Sequence, residues 1–460
     1  MVVKPFVDEA LGNSSYLVAS EETGLAAVID PQRDVDKYMQ AAEGLGLRLA
    51  YALDTHLHND FVSGVCELAA QAGLRVGASA QAGLAFDHVP LSDGDRLALG
   101  ELSIGVLTTP GHAPEHISFT VTEARQPSPS AVFTGGALIV GGAARTDLLG
   151  PDLSVPLARQ LYHTLHHKLM ALPDAADVYP THGAGSFCAA PFSAERVTTI
   201  GRERLGNAMV RPQSQDAFVA HALEGLPSYP VYYREMRAVN RRGPRVFGGL
   251  PQPKPLPPEA ARQLMDQGTA VLDVRSGRAF SQGHIAGAYG IPLNAPLSTW
   301  AGWLIPFGTP LVLVTTDATE REPAVRHLIR IGFDDVRGYL DGGIDSWARA
   351  GLPITRVSVM TTGELRERLG ADDAPIVLDV RQDAEWLAGH IPGAVHVENG
   401  RLPYDDLPLP MDRPIAVHCQ VGPRATAAVS VLERRGYRDL FFVKGGFAAW
   451  EAAGYEIERG

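Results

Sequence analysis

Cysteine is scarce. The chain of 460 residues holds three, Cys66, Cys188 and Cys419. So odd and sparse a set excludes a disulfide framework. Long apolar runs are missing as well: no stretch approaches the ~18 residues that span a bilayer, so no membrane-spanning helix is expected. The first 20 residues lack a basic start followed by a long apolar run. No secretion signal is therefore expected, and the thiols are expected reduced in a cytoplasm. Clusters of Lys and Arg are absent and the net charge is −12, which argues against a nucleic acid or an anionic membrane surface as partner. What is present is an ordinary globular balance, 45% hydrophobic and 20% charged. The length exceeds one core and calls for roughly two to four domains.

The clearest boundary is "GGLPQPKPLPPEAARQL". Five prolines fall between Pro251 and Pro258, and proline removes backbone donors and disfavours helix in its predecessor. A stiff linker is expected, leading into a helix near Glu259. Beyond it the chain repeats itself. "AVLDVRSGRAFSQGHIAGA" from Ala270 matches "IVLDVRQDAEWLAGHIPGA" from Ile376, and "IGFDDVRGYLDGGIDSW" matches "RGYRDLFFVKGGFAAW". In each copy an amphipathic helix leads into an apolar strand closed by Asp-Val-Arg, followed by a second strand and helix. That alternation implies a parallel sheet covered on both faces. The expected organisation is a first domain over 1–250, a repeated domain over 256–356 and its second copy over 360–460. The first part mixes short strands with helices; 194–245 reads as mainly helical and offers no chemistry of its own.

Histidines recur at strand ends. "DTHLHNDF" sets His56 and His58 just after an apolar strand, with Asp60 and Phe61 following. His112 in "TTPGHAPEH" and His182 in "VYPTHGAGS" occupy the same kind of position. Histidine nitrogens bind borderline metals when neutral and held in place, and strand-end loops are where sites on such scaffolds lie. His163, His166 and His167 instead fit the solvated face of an amphipathic helix.

"THLHND", "TPGHAPEH", "FTGGALIVGGAARTDLLG" and "YPTHGAGS", in that order, resemble the metallo-β-lactamase superfamily, nearest its persulfide dioxygenase branch, which lies close to glyoxalase II. The repeated domains resemble rhodaneses. The resemblance implies an αββα metallo-β-lactamase sandwich followed by two rhodanese-like parallel-sheet α/β domains. It also implies ligands. A two-ion hydrolase of this kind would use His56, His58 and His112 for one ion. Asp60, the next residue and His182 would hold the other, with a bridging aspartate from a T-G-D motif. The next residue here is Phe61, and the aspartate position is Gly136. A dioxygenase would hold iron through His56, His112 and that same missing carboxylate. The expectation is a degraded site for one ion, Fe2+ or Zn2+, on His56, His58 and His112, with Asp60 and His182 beside it. Restoring the carboxylate by Gly136→Asp is expected to raise iron occupancy. Arg145 matches the family position that contacts the glutathione part of a substrate.

"HCQVGPRATAA" places Cys419 after an apolar strand and before a helix. Inward backbone N–H groups at Gln420, Val421 and Gly422, the helix N-terminus and the Arg424 cation all favour a thiolate and a bound persulfide. The C-x4-R spacing is one residue short of the loop that cysteine phosphatases need, and it resembles rhodanese sulfurtransferases. Aligning the repeats puts Thr315 opposite Cys419 and Glu320 opposite Arg424, so the first copy is expected to be inert and to serve in docking. The function expected is a sulfur-handling enzyme: a sulfurtransferase acting through a Cys419 persulfide on small-molecule thiols, persulfides or thiosulfate, coupled to a persulfide dioxygenase-like domain. Two alternatives stay open. One is a zinc-dependent thioester hydrolase with accessory rhodaneses; the other is a non-catalytic sulfur carrier or sensor with a vestigial metal site. The sequence admits a homo-oligomer without requiring one.

Overall fold

Every residue of the strand Asn13–Ala19 is buried, and its two faces serve two different cores. Tyr16 and Val18 point to one, Leu17 and Ala19 to the other. The strand Leu25–Ile29 divides in the same way, as the two-residue period of a strand requires. In the computed structural model, which describes residues 1–124, 126–190, 194–211 and 213–460, that division makes four layers. One six-stranded sheet runs from Val2–Asp8 through Asn13–Ala19, Leu25–Ile29, Arg48–Leu53 and Arg75–Ser79 to Val89–Leu91. A second runs from Thr198–Thr199 through Asp177–Pro180, Ala131–Gly135, Ile117–Glu123 and Leu102–Thr108 to Arg96–Leu99. Tyr16, Ile29 and Leu53 of the first sheet meet Ile104, Phe119 and Phe133 of the second in the central core. Helices Asp36–Gly44 and Val65–Ala72 cover the outer face of the first sheet. Helix Pro151–His163 covers the second, with Ile200 and Phe218 beside it. This is the expected αββα sandwich.

The segment 194–245 contains the helices Ile200–Gly206, Gln215–Leu223 and Tyr233–Arg242; Pro212 within it lies outside the described residues. The solvated-face expectation holds for the exposed His163 and His167 but not for His166. That ring is half-buried, with its centroid 4.3 Å from that of Tyr162, because the chain winds into a wider turn over Thr164–Lys168.

The chain divides into two compact units, 1–251 with 329–332, and 252–328 with 333–460. The second unit contains both repeats. Their sheets have the same strand order. The first runs Pro255–Leu256, Val336–Leu340, Leu311–Val314, Ala270–Asp273, Tyr289–Gly290. The other runs Ser358–Thr361, Leu440–Lys444, Ile415–His418, Ile376–Asp379, Val395–His396. Every adjacent pair in both sheets is parallel. The linker contributes more than stiffness, since Pro255–Leu256 pairs as an edge strand, where a proline is tolerated. The Asp-Val-Arg repeat is a repeated contact. Arg275 binds Asp273 and the Gly283 carbonyl, and Arg381 binds Asp379 and the Gly389 carbonyl. Between the copies, Trp303 of the buried helix Leu297–Leu304 seats on Gly400, where even a methyl group would strike the indole.

Candidate functional site

His56, His112 and His182 arrive from three strand ends, after Arg48–Leu53, Leu102–Thr108 and Asp177–Pro180. Their ligand atoms all lie within 4.8 Å of one another, and all three rings are buried. The hydrogen bonds fix where each ring proton sits. Thr55 gives its backbone N–H and its hydroxyl to Asp30, at 2.7 and 2.8 Å. With its one hydroxyl hydrogen committed, Thr55 can only accept from His56 Nδ1, 2.9 Å away. His112 Nδ1 faces the Arg145 carbonyl at 2.7 Å, which can only accept. His182 Nδ1 faces the Asn13 Oδ1 acceptor at 3.1 Å, while the Asn13 amide donates to Asp60 at 2.9 Å. Each Nδ1 therefore carries a proton, and wherever a ring is neutral its Nε2 presents a bare lone pair. His56 Nε2 and His182 Nε2 stand 3.4 Å apart, and His112 Nε2 has no hydrogen-bond partner. Burial, then neighbouring histidines, holds His56 well below the usual histidine range; burial and His182 do the same for His112. Converging, buried ring nitrogens are costly without a cation to share, so these residues fit a metal ion.

His58, expected beside His56 and His112, is turned elsewhere. Its Nε2 lies 3.2 Å from Asp30 and 3.8 Å from Asp54, and its ring stacks on Phe61 with centroids 4.1 Å apart. Burial opposes the charged form of His58, but Asp30, by charge and hydrogen bond, outweighs it and raises the pKa. A ring so paired is an ion-pair partner first. His58 also falls in a second group with Asp60 and His182. Asp60 itself leans on His182 Nδ1 at 3.4 Å. Burial would raise Asp60, but His182, His58 and Asn13 bring it down to about 2. That is the geometry of a carboxylate orienting a histidine rather than replacing it.

The surroundings of Gly136 argue against a restored carboxylate. Its N–H donates to His116 Nε2 at 3.1 Å. A Cβ at this position would lie 2.5 Å from His112 Cδ2 and 3.1 Å from the Ala144 Cβ. The space of the missing carboxylate is filled by the His112 ring, so Gly136→Asp would displace a candidate ligand. Arg145 is corrected too. Its guanidinium is held by Asp147, at 2.6 and 2.7 Å, and by the carbonyls of Phe187 and Pro227, and it is 5% exposed. It braces the loop that carries the His112 acceptor and has little left to offer a substrate.

Several residues of this site were not picked out from the sequence. Asp30, with a left-handed φ of 50°, joins Thr55, Thr181 and His58. It closes the apolar run "LAAVID", the same strand-end signal that marked the histidines. The segment that offered no chemistry is what clamps the loop. Tyr232 donates to the Asp60 carbonyl, Asn240 to those of His58 and Phe61, and Arg237 pairs with Glu115.

The second constellation lies in the last domain. Cys419 follows the strand Ile415–His418 and is 1% exposed. Its Sγ accepts the N–H of Gly422 at 3.0 Å, at the start of the helix Pro423–Arg434. Gly422 adopts φ 135°, which suits glycine alone. Gly446 lets Phe447 and Ala448 donate to the carbonyls of Cys419 and Gln420, since a Cβ there would lie 2.2 Å from the Cys419 oxygen. Val421 points to solvent. Arg424, expected to reach bound sulfur, instead makes two bonds to Glu385, at 2.6 and 2.8 Å. It ties the loop to the helix Asp383–Ala388. Burial raises the other two thiols, Cys66 to about 12 and Cys188 above its usual range. In the first copy, the loop after Leu311–Val314 answers itself: Thr316 N–H donates to Glu320 at 2.6 Å, and Asp317 caps Thr319.

The comparisons with known proteins follow this division. The model of the rhodanese-like domain matches residues 257–350 and 361–453. The human persulfide dioxygenase ETHE1 is 32% identical over 184 residues, 40% of this chain and 68% of that protein. A probable metallo-hydrolase of Burkholderia pseudomallei is 30% identical over 293 residues, 55% of this chain and 95% of its own length. The chain belongs to the metallo-β-lactamase/ETHE1-like family. A crystal structure of a metallo-β-lactamase from Staphylococcus aureus covers 74% of this ETHE1-like chain and 98% of its own, at 29% identity and a TM-score of 0.66. The fold expectation, a metallo-β-lactamase-like domain followed by two rhodanese-like domains, is borne out. Among the described residues, no helix is long and apolar enough to cross a membrane.

Proposed function

We propose that this chain is a sulfur-handling enzyme whose last domain carries sulfane sulfur on Cys419. The observation that carries the reading is the Gly422 N–H held on Cys419 Sγ at the start of a helix, an arrangement that stabilises anionic sulfur. The Cys419 thiolate attacks the outer sulfur of a persulfide R–S–S⁻. The new Sγ–S bond forms as the old S–S bond breaks, and the thiolate RS⁻ leaves; with thiosulfate the leaving group is sulfite. An acceptor thiolate then takes the outer sulfur and returns Cys419 to the thiolate, with no net oxidation. Arg424 acts as a positioning residue through Glu385. Transfer to a thiol or to cyanide should vanish in Cys419→Ser, because serine cannot carry a persulfide. In Arg424→Ala it should fall without vanishing, because the backbone donor remains.

In the first domain, His56, His112 and His182 would hold the ion, with Asp30, Asn13 and Asp60 fixing the ring orientations. Such an ion would supply Lewis-acid polarisation of a bound sulfur or carbonyl group, or, as iron, access of dioxygen to sulfur. The likeness to ETHE1 supports a persulfide substrate here. One observation favours a second reading: the three converging donors are nitrogens without a carboxylate, a set that suits Zn2+ and thioester hydrolysis. Metal content measured together with oxygen uptake on glutathione persulfide separates the two. Iron with oxygen uptake supports the dioxygenase, and zinc with thioester cleavage supports the hydrolase.

A further inference from the structure

A cavity of about 320 Å³ opens beside the Cys419 loop, lined by Gln420, Arg381, Glu385, Glu451, Arg459 and the ring of Phe447 among others. Its charges balance, two guanidiniums against two carboxylates. A cavity shaped for a dianion such as thiosulfate would be net positive. Two of the four charges are already spent. Arg381 is held by Asp379, the Gly389 carbonyl and the Gln420 amide oxygen, and Glu385 by Arg424. Glu451 and Arg459 remain. Among the described residues neither side chain has an ion-pair partner within 4.0 Å, and they do not pair with each other. Both are anchored. Glu451 sits on the helix Gly446–Ala452. Arg459 follows Glu458, whose backbone exchanges two bonds with that of His390, at 2.8 and 3.0 Å. One carboxylate and one guanidinium without an ion-pair partner therefore line a single cavity whose wall includes Gln420, the residue after Cys419.

We infer that this cavity recognises a zwitterionic amino-acid thiol, or its persulfide, with Glu451 taking the ammonium and Arg459 the carboxylate, so that the ligand's sulfur is presented to Cys419. The inference rests on the reading of Cys419 as the sulfur carrier and adds the class of its partner. The Phe447 ring and Ile457 give the short methylene stem an apolar wall.

The test uses the full chain and a probe without transferable sulfur, S-methylcysteine, read as protection of Cys419 from iodoacetamide. S-methylcysteine should protect. Its N-acetyl derivative and its methyl ester, each lacking one charge, should protect about tenfold less well, the loss of one charge-assisted hydrogen bond. Glu451→Gln should erase the discrimination against the N-acetyl derivative only, and Arg459→Gln that against the ester only. Equal protection by the three probes, or discrimination unchanged in both variants, would overturn the inference. Transfer rates measured alongside keep the two claims apart. Charge-selective protection without transfer from any donor sinks the sulfurtransferase reading and leaves the cavity assignment standing. Transfer with the same kcat/KM for cysteine persulfide in wild type and in both variants sinks the assignment alone.

Discussion

His56 Nε2 lies 3.4 Å from His182 Nε2, and in the neutral rings neither has a proton to give the other. Two lone pairs do not approach so closely in a buried place without something positive to share. With His112 Nε2, equally unpartnered, they form a group that could hold one ion. The purified protein should hold one metal ion per chain, and His56→Ala, His112→Ala or His182→Ala should each empty it under dialysis. His58→Gln should keep most of the metal, since that ring is spent on Asp30. Elemental analysis of the four variants decides it; full retention in His182→Ala would move the site back toward His58.

The carboxylates around the site should be separable by role. Asp60→Asn keeps the shape but weakens the hold on His182, so metal affinity should fall by about 10- to 100-fold, the usual effect of losing a group that orients a ligand. Gly136→Asp should do worse than restore a ligand. It must push aside His112, at a cost of about 1–3 kcal/mol for overpacking. Competition with a chelator, read together with the thermal midpoint, tests both. Tighter binding in Gly136→Asp would show that the pocket relaxes around the new side chain.

Much of this was legible in the sequence. The repeat and the proline linker marked the three parts, and the strand-end pattern picked out three histidines that converge, because strand periodicity and turn chemistry are local. Ring orientation is not local. Which histidine nitrogen faces inward depends on Asn13, Asp30 and the Arg145 carbonyl, each far from its histidine in the chain. For the same reason Arg145 and Arg424 read as ligand-facing cations when their partners were Asp147 and Glu385. A guanidinium shows its charge in the sequence but not its partner.

The acid limb of the last domain should depend on Asp379. Burial would raise this carboxyl, but His418 and Arg381 outweigh it, and its folded pKa lies below the ordinary value. Its stabilising contribution is then complete above the unfolded pKa of about 3.9 and is lost as pH falls through the lower folded value. Asp379→Asn should lower stability at neutral pH, by about 3–5 kcal/mol if Arg381 is left unpaired. It should also flatten the loss on acidification, as read from thermal midpoints across the acid range. An unchanged acid slope would mean that other carboxylates govern it.

The loop of the first repeat should be silent. Glu320 already accepts its Thr316 N–H, so an incoming sulfur anion meets a carboxylate where the second copy offers a donor. Thr315→Ala and Glu320→Ala should leave transfer from persulfide to a thiol unchanged, measured at the same protein concentration as wild type. A rate loss in either would give the first copy a part in the chemistry.

The most direct test of the account is the mass of the peptide containing Cys419 after the protein meets glutathione persulfide and, separately, cysteine persulfide. It should gain one sulfur atom on Cys419, and lose it on addition of a thiol acceptor. Cys66 and Cys188, whose thiols burial holds in the protonated form, should gain none. A Cys419 left unmodified by both donors, or sulfur that accumulates there and cannot be passed on, would contradict a sulfurtransferase.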